Sequence, residues 1–260
     1  MSAPPDFIQA MAKAELHNFR YYESIDSTNR EAMHWIEQGA SDYSLVFADH
    51  QTAGKGRLNR QWITNANSSL AFSLVFKLNP EEQTRLSLFS LLGALALVTT
   101  LSNKLKISSR IKWPNDVLIN NQKTAGILTE TYFVGGELKG LVLGIGVNIF
   151  SPSIPDNIAI RFPATCLQQH CAFPINRFHL LQDLIIEIRN LRATLLINNF
   201  VDQVKAYLAY LGEEIIITNV ANNQRTQGIL KGLTSKGELI MAQEGKDLII
   251  SAGEIELRPA

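Results

Sequence analysis

The chain has 260 residues, and its 24 Lys and Arg balance its 24 Asp and Glu, so the formal net charge is zero. A chain of this length can bury a substantial core. It lacks, however, the basic excess with which general nucleic-acid binders displace counterions, so we expect no DNA partner. The two cysteines, Cys166 and Cys171, form no pattern typical of a disulfide framework or a four-ligand zinc site. We expect both thiols to be reduced.

The N-terminus shows no cationic start followed by an apolar run, which predicts that no secretory signal is present. The longest apolar stretch, Leu86–Leu101, is interrupted by serine, glycine and threonine. It is also short for a membrane span, which needs ~20 apolar residues. We therefore predict a buried helix here, no membrane partner and a cytoplasmic protein.

About 20 leading residues precede the first convincing element, too few for an added DNA-binding helical domain. A helix is predicted from Ser27, because Thr28 followed by Glu31 has the spacing of a capping box and Gly39 provides a stop. The apolar segment Ser44–Ala48 then predicts a strand, which leads into a glycine-rich segment.

Further along, we predict a strand at Leu70–Leu78 and a long helix at Glu82–Lys104. The region Arg110–Ile149 predicts three strands. Asn120–Asn121 marks the turn between the first two, and Gly135–Gly136 marks the turn before the third.

A loop marked by prolines follows, and two helices come after it. The prolines are Pro152, Pro155 and Pro163, and the helices are predicted at Arg177–Asn198 and Phe200–Leu211.

The tail from Glu213 has a different character, because short apolar runs alternate with Gly, Asn and Lys turns. That spacing is typical of a small β-barrel. We therefore predict two domains, a mixed α/β domain over residues 1–212 and a small all-β domain over residues 213–260.

The segment Gln51–Trp62 is the most informative part of the chain. Its glycines, including Gly54, let the backbone approach an anion closely, and Arg57 and Arg60 can donate charge-assisted hydrogen bonds to phosphate. The Trp62 ring could stack on a flat ligand. By itself, the segment is equally compatible with an exposed basic turn.

Three further motifs carry polar groups that could do chemistry. In Lys112–Asp116, the carboxylate of Asp116 could accept a proton or help to hold magnesium, although most Asn-Asp pairs only stabilise turns. In Lys123–Leu128, Lys123 could neutralise charge that develops on a reacting carboxylate or phosphate, but lysines beside turns are usually just solvated. In Gly144–Asn148, the glycines permit close packing, which is also common in ordinary sheets.

In this order, together with Ser27–Asn29, the motifs resemble the biotin protein ligase family. The resemblance covers about residues 19–150 and continues more loosely past Glu213, as far as Gly253–Arg258. It implies an α+β fold, with a central mixed β-sheet and flanking helices as in class II synthetase-like biotin and lipoate ligases, plus a small SH3-like β-barrel. The chain resembles the enzyme-only type, which lacks the N-terminal DNA-binding domain.

The resemblance also implies the reaction. Such a ligase uses ATP with Mg²⁺ to activate its substrate biotin as biotinyl-AMP. It then transfers biotin to a lysine of a biotin carboxyl carrier protein, which belongs to acetyl-CoA carboxylase or a similar biotin-dependent carboxylase. We expect a monomer or a homodimer and no resident metal site.

The resemblance assigns roles to individual residues. Those implied in catalysis are Arg57, Lys123 and Asp116. Those implied in biotin binding are Ser27, Thr28, Asn29, Gln51, Gly54, Lys55, Gly56, Arg57 and Lys123. Those implied in binding ATP or the adenylate are Arg57, Arg60, Trp62, Lys123 and Asn148. The chain departs from the family at Lys55, where Gly-Arg-Gly-Arg is common, and lysine lacks the planar fork of arginine.

Two alternatives remain open at this point. One is a lipoate or octanoate ligase of the same fold, which the Gly-Lys-Gly-Arg and Lys-Trp-Pro-Asn-Asp motifs disfavour. The other is a non-catalytic, biotin-responsive regulatory protein such as a DNA-binding repressor. The neutral charge and the missing helical domain disfavour it.

Overall fold

The computed structural model describes residues 3–58, 60–63, 65–151, 163–197, 199–219, 222–251 and 255–259. Of the residues named in the predictions above, Pro152, Pro155, Asn198 and Gly253 lie outside the described ranges.

Within these ranges the chain alternates between helices and strands. The helices are α1 Pro5–Lys13, α2 Thr28–Glu37, α3 Pro80–Gln83, α4 Leu88–Thr100, α5 Arg177–Arg192 and α6 Asn199–Ala206. The strands are β1 Phe19–Ile25, β2 Leu45–Gln51, β3 Gly54–Lys55, β4 Gln61–Trp62, β5 Ser69–Phe76, β6 Arg110–Lys112, β7 Asp116–Ile119, β8 Gln122–Val134, β9 Glu137–Asn148, β10 Glu214–Asn219, β11 Arg225–Leu233, β12 Leu239–Gln243, β13 Lys246–Ile250 and β14 Ile255–Pro259.

The main sheet contains seven strands in the order β1-β2-β5-β9-β8-β7-β6. Strands β1 and β2 run parallel, whereas the other neighbours are antiparallel, so the predicted mixed sheet is confirmed. Helices α1, α4 and α5 cover one face, and α2 covers the other. Strand β5 is buried at all eight positions because it lies in the middle of this covered sheet.

Helix α4 is the predicted buried helix. Gly93 at its centre lets the helix lie close to the sheet, since a Cβ atom there would come within 3.2–3.3 Å of side chains from Ile127, Leu143 and Ile145. The stretch Leu88–Leu105 is long and apolar enough to cross a membrane, but 67% of it is buried inside the protein. That degree of burial is typical of the core helix of a folded domain.

The second sheet is antiparallel and has five strands in the order β13-β12-β11-β10-β14. It is consistent with the small SH3-like unit expected for the tail, while the division at residue 212 stays a prediction. The β11–β12 turn contacts the first part of the chain. There Gly237 O accepts a hydrogen bond of 2.9 Å from the Trp113 indole, and Ser235 and Lys236 accept from Arg85 and Ser87.

The expectation that about 20 residues precede the first element is wrong, because helix α1 lies among them. Helix α1 begins at Pro5, whose fixed φ suits the first helical position, and it has no side-chain cap. It is held by tertiary packing instead. Phe7 is fully buried against the rings of Phe47 and Phe178, contacts that no local pattern reveals.

The predicted capping box of Thr28 and Glu31 is also wrong. The N-cap of α2 is Ser27, which makes no side-chain cap hydrogen bond. Glu31 instead accepts hydrogen bonds of 2.7 Å from Arg20 and from the Tyr22 hydroxyl. The carboxylate therefore joins α2 to β1 rather than closing the helix end.

The helix predicted at Glu82–Lys104 is divided in the structure. Asn79 and Glu82 form a capping box around the short helix α3, and Arg192 donates a 2.7 Å hydrogen bond to the same carboxylate. The chain then turns before α4 begins, and a short π-helical turn continues α4 as far as Leu105. Helix α5 begins where predicted and α6 begins one residue before the predicted start, and both end earlier than predicted.

The region Arg110–Ile149 contains four strands, not three. The additional strand arises because the chain reverses between Lys112 and Asp116, which pair across β6 and β7. The two predicted turns are confirmed. Asn120–Asn121 adopts positive φ angles of 50° and 59°, and Gly135–Gly136 adopts 59° and 84°.

We predict that Phe7→Ala lowers the free energy of unfolding by about 3–5 kcal/mol, as is usual when a buried aromatic ring is removed from a core. Urea denaturation would measure the change. Ile8→Ala is the matched control because Ile8 is 47% exposed on the same helix. Equal, small effects of the two substitutions would show that α1 does not stabilise the domain.

Candidate active site

A cavity of about 590 Å³ opens where the main sheet meets the β3–β4 hairpin, the N-terminus of α2 and the Lys112–Asp116 turn. The structure brings nearly all of the predicted site residues to its walls. They are Ser27, Thr28, Asn29, Gln51, Lys55, Gly56, Arg57, Arg60, Trp62, Asp116, Lys123 and Asn148. Gly54 is the exception, since it is buried and does not line the cavity.

The glycine-rich segment folds as a small hairpin that we call the loop hairpin, which comprises the described residues Gly54–Leu58 and Arg60–Trp62. Gly54 pairs with Trp62, and Gly56 N donates a 2.7 Å hydrogen bond to Arg60 O. A Cβ atom on Gly54 would overlap the Trp62 carbonyl oxygen, so the hairpin can close only with glycine there. This geometry turns the arginines and Trp62 towards the cavity.

One end of the cavity is a polar cup formed by Ser27, Thr28, Asn29 and Gln51. Gln51 Oε1 accepts hydrogen bonds from Thr28 N at 2.8 Å and from Thr28 Oγ1 at 3.0 Å. The amide of Gln51 is thereby oriented with Oε1 occupied and its Nε2 donors left for other partners. Ser27 Oγ is buried and has no hydrogen-bond partner among the described residues.

Asn29 is held from two sides. Its Oδ1 accepts a 2.6 Å hydrogen bond from Ser73 Oγ, and its Nδ2 donates to Glu130 Oε2 at 2.7 Å. A Cβ atom on Gly144 would overlap the Asn29 amide, so this glycine provides the space that the buried side chain occupies. These contacts hold the Asn29 amide in one orientation in the wall of the polar cup.

At the other end, the indole of Trp62 lies on a glycine floor. A Cβ atom on Gly146 would overlap the indole ring, and one on Gly126 would be 3.4 Å from it. Asn148 is nearby on β9, where Nδ2 donates to Thr165 O at 3.1 Å and the buried Oδ1 has no partner within the described ranges. This end of the cavity combines a flat aromatic face with a free amide acceptor.

Cationic groups line the same cavity, and Lys123 Nζ is 5.8 Å from the centre of the Trp62 ring. Lys123 Nζ is 2.6 Å from Asp116 Oδ1, and Arg57 Nη1 donates to Asn115 Oδ1 at 3.2 Å. Lys112 and Arg258 also line the cavity, the latter from the C-terminal sheet. Such a cluster can bind several anionic groups at once.

Burial changes the proton affinity of two of these cations. Desolvation lowers the pKa of Lys112 to about 8, even though the negative charge of Asp116 acts in the opposite direction. The charges of Arg258, Lys123 and Arg60 lower this pKa further. Burial also lowers the pKa of Arg57, and Asp116 again opposes the change. Asp116 therefore helps to keep both groups charged.

Sequence reasoning missed several residues of this site. Lys112 and Asn115 belong to the motif of Asp116. Lys112 pairs with Asp116 across the turn, and this pairing could have indicated that Lys112 belongs to the site. Arg258 lies in the tail motif. Ser73 and Glu130 gave no local signal, because they join the site only through the packing of β5 and β8 against α2.

Comparison with known proteins agrees with this geometry. Residues 21–148 match the Biotin/lipoate A/B protein ligase family. A bifunctional ligase/repressor BirA from Bacillus spizizenii is 32% identical over 241 residues, or 91% of this chain and 73% of that protein. The biotin–[acetyl-CoA-carboxylase] ligase of Paracoccus denitrificans is 32% identical over 239 residues, or 88% of this chain and 96% of that protein.

Solved structures give the same result. The biotin protein ligase from Aquifex aeolicus in complex with biotin and ATP has a TM-score of 0.80 and 29% sequence identity, covering 94% of this chain and 100% of that one. The mixed sheet, its cationic cavity and the small C-terminal antiparallel sheet thus place the chain among the protein ligases. The chain belongs to the biotin protein ligases within the biotin/lipoate A/B protein ligase family.

We predict that an NMR titration of the lysine side chains will show one group with a pKa of about 8, and that Lys112→Arg removes it. In Asp116→Asn this pKa should fall further, because the neighbouring negative charge that favours the ammonium form is lost.

Asp202→Asn is the control for that titration, since Asp202 pairs with the exposed Lys205 on α6. An Asp116→Asn protein in which the pKa of Lys112 stays the same or rises would contradict the assigned electrostatics.

Proposed function

We propose that the protein is an ATP-dependent ligase that activates biotin to biotinyl-5'-AMP and transfers it to a lysine of a biotin carboxyl carrier protein. The observation that carries the proposal is a cavity that combines the polar cup with a cluster of cationic side chains. Biotin has a matching outline, with a hydrogen-bonding ureido ring at one end and a carboxylate at the other.

The polar cup offers both kinds of hydrogen-bonding group that a ureido ring requires. The ureido carbonyl can accept hydrogen bonds from the Gln51 Nε2 group and from the Ser27 hydroxyl. The ureido N–H groups can donate to hydroxyl oxygens such as that of Thr28. The dithiolane ring of lipoate and the alkyl chain of octanoate have no comparable polar groups. They would leave buried donors unpaired, which costs about 1–3 kcal/mol for each group.

The cationic cluster fits the first reaction step, in which the biotin carboxylate attacks the α-phosphate of ATP, the bond between the α- and β-phosphates breaks, and pyrophosphate leaves. Two anions repel each other, so the site must supply positive charge where they meet. Arg57 and Arg60 from the loop hairpin and Lys123 from β8 line the same cavity and can contact both groups. Lys112 adds a further cation at pH values below its pKa of about 8.

The end of the cavity that contains Trp62 and Asn148 fits the adenine. We assign the Trp62 indole as its stacking face and Asn148 Oδ1 as the acceptor for its amino group, because that buried oxygen has no partner in the part of the chain described. The C-terminal sheet supplies Arg258 to the same cavity. We therefore infer that residues 213–260 help to close the ATP site.

The donor set also fits Mg²⁺ that arrives with ATP. The described residues contain no group of three His, Cys, Asp or Glu side chains that could hold a metal alone. Magnesium bound to nucleotides usually takes one or two carboxylates and several phosphate oxygens, and Asp116 can provide one such carboxylate. When bound, the ion would neutralise phosphate charge.

In the second step, the amine of the acceptor lysine attacks the carbonyl of the mixed anhydride, and AMP leaves. We assign Asp116 to receive this amine, because its carboxylate already holds the ammonium of Lys123 at 2.6 Å. The acceptor is a biotin carrier, most specifically the carrier protein of acetyl-CoA carboxylase. We place the reaction in the cytoplasm, with a monomeric or homodimeric enzyme.

An exchange assay of pyrophosphate into ATP tests the proposal directly. Biotin should support exchange, whereas lipoate and octanoate should be poorer by a factor of about 10⁴, as is typical when a site built for hydrogen bonds meets an analogue that lacks them. Exchange with lipoate but not with biotin would identify the alternative ligase. No exchange with any acid, together with retardation of operator DNA in a gel, would favour the regulatory protein.

We predict that Lys123→Ala slows biotinyl-AMP formation by about 10²–10³-fold, because a group that stabilises developing negative charge is lost. Single-turnover kinetics with labelled ATP would measure the rate. Lys139→Ala removes an equal charge from the surface pair with Glu137 and serves as control. A near-normal rate for Lys123→Ala would place the catalytic charge on another residue.

A further inference from the structure

The carboxylate of Glu130 joins the polar cup to the loop hairpin. Its Oε2 accepts the 2.7 Å hydrogen bond from Asn29 Nδ2, and its Oε1 is 3.5 Å from Lys55 Nζ. Strand β8 thus contacts the N-terminal turn of α2 and the loop hairpin through one side chain. Glu130 does not line the cavity itself.

The buried amide of Asn29 determines the direction of the Glu130 carboxylate. Asn29 is 4% exposed, and Ser73 occupies its Oδ1, so Nδ2 must face Glu130. The same Nδ2 lies 3.4 Å from the Leu128 carbonyl, which limits its movement. With one oxygen held in this way, Glu130 presents its other oxygen to Lys55.

We propose that Glu130 is a positioning residue that holds the loop hairpin over the cavity through Lys55. The inference rests on the proposed function, because the consequence of an open hairpin is escape of the bound adenylate. It also accounts for the departure at position 55. Glu130 offers a single oxygen to the hairpin, and the ammonium of a lysine satisfies it without the planar fork of arginine.

The expected size of the effect follows from exposure. The side chains of Lys55 and Glu130 are 41% and 28% exposed, so solvent screens their attraction and the pair contributes modestly. We expect loss of the pair to speed release of biotinyl-AMP by about three- to five-fold. Raising the salt concentration should have the same effect on the wild-type protein and little effect on a variant without the pair.

Glu130→Gln separates the two contacts of the side chain. The amide oxygen of glutamine can still accept from Asn29, whereas the charge that attracts Lys55 is lost. We expect the affinity for biotin to stay within about two-fold of wild type, and release of preformed biotinyl-AMP in a chase experiment to be faster by about three- to five-fold.

Glu130→Ala removes both contacts and leaves a buried N–H of Asn29 without its acceptor. Biotin affinity, measured by calorimetry, should then also weaken by about ten-fold. Glu137→Gln is the matched control, because Glu137 lies on the same sheet and pairs only with Lys139 in the described contacts. It should alter neither quantity.

A double-mutant cycle decides the proposal. Lys55→Gln should speed adenylate release as much as Glu130→Gln does, and the double variant should be no faster than either single variant. Unchanged release in Glu130→Gln, or fully additive effects in the double variant, would overturn the proposal. Failure of the wild-type protein to make any adenylate would instead overturn the proposed function.

Discussion

The site depends on one carboxylate among many cations. Asp116 is 2.6 Å from Lys123, and its charge favours the protonated forms of Lys112 and Arg57 against the effect of burial. Without a counter-charge, cations crowded into a half-buried cavity would repel one another, and lysines among them would lose protons. A protein with zero net charge thus concentrates positive charge at one place. In the proposed reaction, incoming phosphates take over the role of the carboxylate and release Asp116 towards the acceptor amine.

Glycines and small polar groups give this charged centre its shape. Gly144 makes room for the Asn29 amide and Gly146 makes room for the Trp62 indole, so neighbouring positions of one strand serve the two ends of the cavity. Ser73, on the adjacent strand β5, donates a hydrogen bond to Asn29 Oδ1. Because β5 and β9 position both Asn29 and Trp62, the sheet fixes the distance between the polar cup and the ring on which we propose that adenine stacks. The loop hairpin then covers a cavity whose length the sheet has already set.

Local patterns predicted the buried helix and most strands of the α/β domain. The mixed sheet and most of the site were implied by the resemblance of the motifs to the biotin protein ligase family. The helix α1 and the true role of Glu31 could not be predicted. Phe7 is stabilised by distant rings, and Glu31 prefers partners on β1 to its own helix end. Lys112 could have been predicted, because it lies in the same short motif as Asp116 and pairs with it across a turn. Glu130 was not, since it faces Asn29 from a strand that is 101 positions away in the chain.

The central claim is that this cavity joins biotin to a protein lysine through an adenylate. The most direct test is an intact-mass measurement of a biotin carboxyl carrier domain after incubation with the protein, biotin and Mg-ATP. We predict that one biotinyl group is added, that the addition requires ATP, and that it disappears when the acceptor lysine is replaced by arginine. An unchanged carrier mass in the presence of folded, biotin-binding protein would contradict it.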